Sequence, residues 1–199
     1  ARTVGRRVLA NAARLIAVSD AERWQLRQLA IDDSRIATIP NPVDETEFSA
    51  PPDGAAFRSR VAPDGGPPVV YLGKLRPRKG VEDLVQAFAR IRAADATLVI
   101  AGNDMGSGSQ VARLVQQLDL ENRVTFSGLL AGPGRLAALA AGDVVVYPSR
   151  DEVFGLVPLE ALLSGAPVIV CDDSGCGEII STVGGGLIVL LNRAHGCAG

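Results

Sequence analysis

Histidine is nearly missing from this chain: His195 is the only one, and it stands close to the end of the sequence. A Ser-His-Asp triad or a histidine-rich metal centre therefore has almost nothing to be built from. Cysteine is scarce too. Cys171, Cys176 and Cys197 are odd in number and show no zinc-ligand spacing, so they read as free thiols in a reducing compartment. Cys176, in a Gly-rich turn, is expected to be exposed, with no histidine nearby in sequence to activate it. The formal net charge is only −2 and the sequence pI about 5.5, which excludes the broad basic footprint of a nucleic-acid binder. No apolar run approaches the roughly 20 residues that span a bilayer, and the N-terminus has no continuous signal-peptide core, so a cytoplasmic location is expected. The Gly-x-Gly-x-x-Gly nicotinamide fingerprint, the Gly-x-Ser-x-Gly elbow and the Walker A loop are all missing.

Apolar residues, in contrast, are plentiful: 47% of 199 residues is ample for one good-sized core and more. From about residue 69 onward, short apolar runs alternate with amphipathic stretches. Val69–Leu72, Thr97–Ala101, Val124–Phe126, Val144–Tyr147, Val168–Cys171 and Leu187–Leu190 read as strands. Val81, Leu84, Val85 and Phe88 form one helical stripe; Val111, Leu114, Val115 and Leu118 form another; Leu136, Leu139 and Ala140 form a third. Strand-helix alternation with continuously apolar strands predicts an α/β fold: a doubly wound, mainly parallel, six-stranded Rossmann-like sheet covered on both faces.

The first 50 residues look unlike a domain of their own. Leu15–Val18 and Arg35–Ile39 read as short strands, and Ser19 with Glu22 as a capping box opening a helix through about Ala30. One helix and two strands bury too little to stand alone. Arg2, Arg6, Arg7 and Arg14 give this start a basic face suited to peripheral contact with an anionic membrane, and the strand at Leu15–Val18 is expected to expose an apolar edge that promotes dimerisation. Breaker clusters at Pro51-Pro52-Asp53-Gly54 and Pro63-Asp64-Gly65-Gly66-Pro67-Pro68 flank a short helical piece, Ala55–Val61. Residues 51–68 are read as a linker between the 1–50 segment and a 69–199 domain.

In a parallel sheet the strand-to-helix loops open on one edge, and ligands bind there. The first loop, Gly73-Lys74-Leu75-Arg76-Pro77-Arg78-Lys79-Gly80, carries four cations and two glycines, a fit for a diphosphate. Gly102-Asn103-Asp104-Met105 and Ser127-Gly128-Leu129-Leu130 offer backbone groups to a base edge or are plain turns. Glu178, after the fifth strand, places a carboxylate on the same edge or simply starts a helix. The fourth loop is the richest. In Ser149-Arg150-Asp151-Glu152-Val153-Phe154-Gly155-Leu156-Val157-Pro158-Leu159-Glu160, Pro158 belongs in a helix's first turn, which predicts a start near Phe154 or Gly155. Glu152 then lies on the loop and Glu160 about one and a half turns into the helix. The Gly155 and Leu156 amides would face the space beside Glu152.

Taken in order, Ile39-Pro40-Asn41-Pro42-Val43-Asp44, Leu72-Gly73-Lys74-Leu75 with Lys79-Gly80, Leu98-Val99-Ile100-Ala101-Gly102, Val124-Thr125-Phe126-Ser127-Gly128 and Glu152 through Glu160 resemble the nucleotide-sugar-binding half of retaining GT-B glycosyltransferases of the group 1 type. The resemblance covers nearly the whole chain. It implies that Glu160 holds the nucleotide ribose, Glu152 contacts the donor sugar, the Gly155 and Leu156 amides hold phosphate, and Lys79 and Lys74 neutralise the diphosphate. It also places Gly73, Gly102, Leu129 and Phe154 among the donor-contacting positions. The implied reaction moves a sugar from a nucleotide-diphosphate donor to a sugar, lipid or small-metabolite acceptor with retention. The donor is a substrate, and neither a cofactor nor an essential metal is implied.

Three positions depart from the family pattern: Lys74 stands where Arg is usual, Gly102–Met105 replaces a Gly-x-Gly-Pro turn, and Val153 stands where a small residue is common. The acceptor-side domain is expected to be absent apart from residues 1–50, and the chain to stop after Leu191, before a helix that crosses back. A sugar-nucleotide epimerase, a phosphorylase and a non-catalytic nucleotide-sugar-binding domain are the alternatives the residues leave open.

Overall fold

Six of the eight strands lie side by side, all parallel, in a computed structural model that describes residues 2–50, 52–173 and 175–190. The expected readings of Cys197, His195 and the chain after Leu191 lie outside the described residues. In chain order the elements are α1 (Arg2–Asn11), β1 (Leu15–Ala17), α2 (Asp20–Gln28), β2 (Ile36–Thr38), α3 (Ala55–Val61), β3 (Pro68–Leu72), α4 (Val81–Phe88), β4 (Thr97–Ala101), α5 (Gly108–Gln117), β5 (Val124–Gly128), α6 (Gly132–Ala141), β6 (Val144–Tyr147), α7 (Val157–Leu163), β7 (Val168–Cys171), α8 (Gly175–Val183) and β8 (Gly186–Val189). Short 3-10 turns at Asp33–Arg35, Glu45–Phe48 and Pro77–Lys79 fill connections.

The sheet order is β5-β4-β3-β6-β7-β8, the doubly wound arrangement anticipated above. Alternation along each strand sends side chains to two separate cores. Val70 and Leu72 of β3 join Val99, Val145 and Val168 against α3, α6, α7 and α8, while Tyr71 joins Leu98 and Ile100 against α4 and α5. Coverage of the second face stops short. Over β6 to β8 it shows Val144, Val146, Ile169 and Val189 beside Phe88 and Ile91 in an apolar cleft of about 430 Å³. The expectation of a sheet covered on both faces therefore holds for one face and half of the other among the described residues.

The stretch read as a linker is packed rather than loose. Phe57 and Val61 of α3 are buried in the first core, and Arg58 pairs with Asp143 at 2.8 Å just before β6. The N-terminal segment also holds more structure than its sequence suggested. α1 was not anticipated, and β1 is not an open edge on both sides, since it pairs in parallel with β2 through Leu15–Ile36, Ile16–Ala37 and Ala17–Thr38. Ala17, Ile31 and Ile36 form a small core there, with Leu9, Leu15 and Leu26 against it. The Ser19 cap forms as expected, its Oγ accepting from the Glu22 amide at 3.1 Å, while Glu22 reaches back one residue beyond the cap and accepts from the Val18 amide at 2.7 Å.

Candidate functional site

Where the strand order reverses, between β3 and β6, the two following loops diverge and leave a crevice. They are residues 73–80 and 148–156. Gly80 lets them meet: its φ is +66°, and a Cβ there would lie 2.2 Å from the Pro148 carbonyl oxygen. The Arg150 amide donates to the Arg78 carbonyl at 2.8 Å, the Arg78 guanidinium donates to the Asp151 carbonyl, and Arg150 pairs with Asp83 at 2.6 Å. Arg78 is thus spent on holding the neighbouring loop, and Arg150 on pairing with α4. Lys74 and Arg76 remain exposed, with no protein carboxylate on either among the described residues.

Lys79 and Glu152 face each other across the crevice as an ion pair, their side chains 19% and 25% exposed. Three donors converge on Glu152 Oε2: Lys79 Nζ, Ser149 Oγ at 2.9 Å and Tyr147 Oη at 3.2 Å. Lys79 Nζ also donates to Tyr147 Oη at 2.9 Å and lies 5.0 Å from the centre of its ring. Burial pushes the Glu152 carboxyl upward, but the hydrogen bonds from Lys79 and Ser149, the lysine charge and the tyrosine hydroxyl together outweigh it and hold it below the usual range. Burial, with Glu152 beside it, raises Tyr147 well above the ordinary phenol value, so this hydroxyl stays protonated and donates. Tyr147 and Ser149 were not singled out for a role in the sequence; a hydroxyl on the last residue of a buried strand and another two residues on is the signal they left.

Val157, not Phe154 or Gly155, begins the next helix, with Pro158 in its first turn. Gly155 has φ +93°, a left-handed conformation that ends any helix continuing backward. A Cβ at Gly155 would meet Cys176 Sγ at 2.4 Å. Glu160 accordingly sits in the first turn instead of one and a half turns in. The amides of Gly155 and Leu156 donate to no protein group among the described residues. Phe154 is only 3% exposed, and its carbonyl takes the Cys176 thiol, so it offers a ligand no side-chain surface. The same contact overturns the expectation of an exposed Cys176, which is 1% exposed. Cys171 is buried as well, and burial pushes its thiol up to about 11.

Glu160 is joined by a residue that was missed. Arg135 Nη1 of α6 lies 2.5 Å from Glu160 Oε1, and its Nη2 lies 2.5 Å from Glu47 Oε2. The arginine stands one helix away from Glu160 in sequence, and nothing local links the two.

The remaining candidates divide. The Gly73 amide donates to the Ala101 carbonyl at 2.9 Å, and a Cβ at Gly102 would lie 1.7 Å from the Gly73 carbonyl oxygen, so these two glycines serve the close approach of adjacent loops. Asp104 is consumed as a cap, accepting from the Gly106 and Gly108 amides at 2.8 Å each. Leu129 is 71% exposed, and its backbone has no protein partner among the described residues. Glu178 does not enter the crevice. It caps α2, accepting from the Asp20 and Ala21 amides at 3.0 Å each. Beside it, Ser19 Oγ donates to the Val153 carbonyl at 2.6 Å and the Gly175 amide donates to the Glu152 carbonyl at 2.8 Å. The loop bearing Glu152 is thereby tied to both α8 and the N-terminal segment.

Comparison with known proteins places this chain in a family. The D-inositol 3-phosphate glycosyltransferase of Kineococcus radiotolerans is 33% identical over 198 residues, 93% of this chain and 46% of the relative. That of Nocardia farcinica is 33% identical over 98% of this chain and 45% of the relative. The chain spans about half the length of the curated relatives it matches. Among solved structures, Anabaena HepE in complex with UDP and glucose superimposes with a TM-score of 0.83 at 27% identity, covering 95% of this chain and 54% of that one. Sucrose-phosphate synthase from Thermosynechococcus elongatus gives 0.83 at 32% identity, over 94% and 48%. Residues 1–47 match the model described as Glycosyltransferase Family 4. Residues 54–195 match the model described as Glycosyl transferases group 1, and the chain belongs to that family of GT-B glycosyltransferases.

Proposed function

We propose that this chain is the donor-binding half of a retaining glycosyltransferase, taking a nucleotide-diphosphate hexose in the crevice between the 73–80 and 148–156 loops. The observation that carries this reading is the convergence, at one switch point, of Lys79 on Glu152, two unpartnered amides at Gly155 and Leu156, and Glu160 at the following helix start. Glu160 takes the ribose hydroxyls, and the Gly155 and Leu156 amides with Lys79 and Lys74 take the diphosphate. Because α7 has only seven residues, the individual amides matter more here than the helix dipole. The UDP bound to HepE supports uridine as the base, which the exposed backbone at Leu129 would meet. The curated relatives, named for D-inositol 3-phosphate, support a phosphorylated cyclitol as acceptor.

In the reaction the bond from the sugar's anomeric carbon to the diphosphate oxygen breaks, and the electron pair leaves with the nucleoside diphosphate. Negative charge grows on that oxygen, so the cations and amides around it bind the transition state more strongly than the ground state. The acceptor hydroxyl forms its bond on the same face and passes its proton to the departing diphosphate. Glu152, held ionised by its three donors, orients the sugar without attacking it. Lys79 exchanges part of its hold on Glu152 for phosphate when donor enters.

Calorimetric titration of the chain with UDP-, GDP-, ADP- and dTDP-sugars tests the reading. One nucleotide class should bind, at micromolar to millimolar Kd, with the affinity lost in Glu160→Ala. Equal binding by the parent and Glu160→Ala removes the ribose role.

A further inference from the structure

Glu160 has two carboxylate oxygens in different circumstances. Oε1 faces the Arg135 guanidinium at 2.5 Å, with side-chain exposures of 18% for the arginine and 15% for the glutamate. Oε2 has no protein partner among the described residues. The N–H bonds of Nη1 are turned away from the line to Oε1, so charge rather than an aligned hydrogen bond holds this pair. Arg135 is itself held on its far side by Glu47, from the 3-10 turn Glu45–Phe48. One cation therefore stands between two carboxylates and cannot swing clear of Glu160 without leaving Glu47.

We propose that Arg135 is a positioning residue for Glu160: it fixes Oε1 by charge and so presents Oε2, already oriented, as the acceptor for a ribose hydroxyl. The proposal rests on the reading of Glu160 as the ribose carboxylate. An unheld glutamate in a first helical turn spreads over several rotamers, and ordering it costs free energy at the moment of binding. Arg135 removes that cost beforehand, because its Nη1 and Nη2 each face an anchoring carboxylate, Glu160 on one side and Glu47 on the other. Arg135 is thus a determinant of how strongly the site prefers a nucleotide with ribose hydroxyls over one without them. Glu47 extends the arrangement to the segment that joins the N-terminal unit to the sheet.

The test compares ligands that differ only in those hydroxyls. The chain is titrated with UDP, GDP and ADP, and the tightest is set against its 2′,3′-dideoxy counterpart. The parent should prefer the ribonucleotide at least tenfold, and Glu160→Gln should abolish most of that preference. Arg135→Met should bring the ratio within threefold of the Glu160→Gln value, while affinity for the dideoxy nucleotide changes little. Arg135→Lys should recover part of the ratio. Arg135→Gln, with a neutral polar side chain, gives the same reading if the methionine variant fails to fold. A parental ratio in Arg135→Met or Arg135→Gln overturns the proposal and leaves the ribose reading intact. No binding, or no preference in the parent, overturns the ribose reading and this proposal with it.

Discussion

Lys79 and Glu152, 73 residues apart in sequence, form an ion pair that closes the crevice between two loops, and Tyr147 touches both partners. A cation and an anion that each have a separate task in the proposed reaction neutralise one another before any donor arrives. Taking away one partner of a part-buried pair strands the other, so single and double substitutions here report different things.

Lys79→Met should weaken a nucleoside diphosphate roughly ten- to hundredfold, the range expected from loss of a charge-assisted hydrogen bond, and leave the nucleoside nearly unchanged. Calorimetry with both ligands measures it. In the Lys79→Met/Glu152→Gln double variant the stability lost by Lys79→Met should be partly regained, because the stranded carboxylate is gone. Similar losses for nucleoside and diphosphate would contradict the phosphate role of Lys79.

Acid stability should carry the signature of Glu152. Its carboxyl is held below the ordinary value of 4.5 in the folded chain, so the unfolded chain takes up this proton first as pH falls. The contribution is complete above about pH 4.5 and disappears as pH drops through the lower folded value. Denaturant unfolding of parent and Glu152→Gln from pH 7 to about pH 3 should show the stability difference shrinking over that acid window. A constant difference would show that Glu152 is not stabilised in its charged form.

Gly80→Ala places a Cβ 2.2 Å from the Pro148 carbonyl oxygen at a residue with φ +66°. The steric and conformational costs add to about 2 kcal/mol or more, a fall in Tm of roughly 4–8 °C for a chain of this size. Gly106→Ala, at φ +111° with open space around its Cβ position, should lose only the conformational part. Thermal unfolding of the pair separates the clash from the backbone strain.

Glu178→Ala leaves the Asp20 and Ala21 amides without their acceptor and should cost about 1 kcal/mol, the value of a lost helix cap. Hydrogen exchange should quicken in α2 and, through the Ser19–Val153 contact, in the loop carrying Glu152, while β3 and β4 keep their protection. Unchanged exchange in the 149–155 loop would show that the N-terminal segment does not steady it.

The order of strands and helices from residue 69 onward is legible in the chain because apolar periodicity is a local property, and the central strands are apolar on both sides. The helix cap at Ser19 and the helix Ala55–Val61 are legible for the same reason. So was the placing of Lys79, Glu152 and Glu160 on one edge of the sheet, since every loop after a parallel strand must open on one edge. Other features depend on contacts between distant residues. Nothing near Cys176 in sequence says that Gly155 and Phe154 will cover it, or that Glu178 will turn from the crevice to cap a helix some 157 residues earlier. The start of α7 was misplaced because a glycine's left-handed φ is a choice the surrounding packing makes. Residue types and their spacing determined which groups stand at the mouth of this sheet. Which of them face one another was decided only in three dimensions, by the strand-order reversal between β3 and β6 and by the packing of α6 against α7 that sets Arg135 on Glu160. A charge pair is specified by distance in space, and sequence separation carries no record of it.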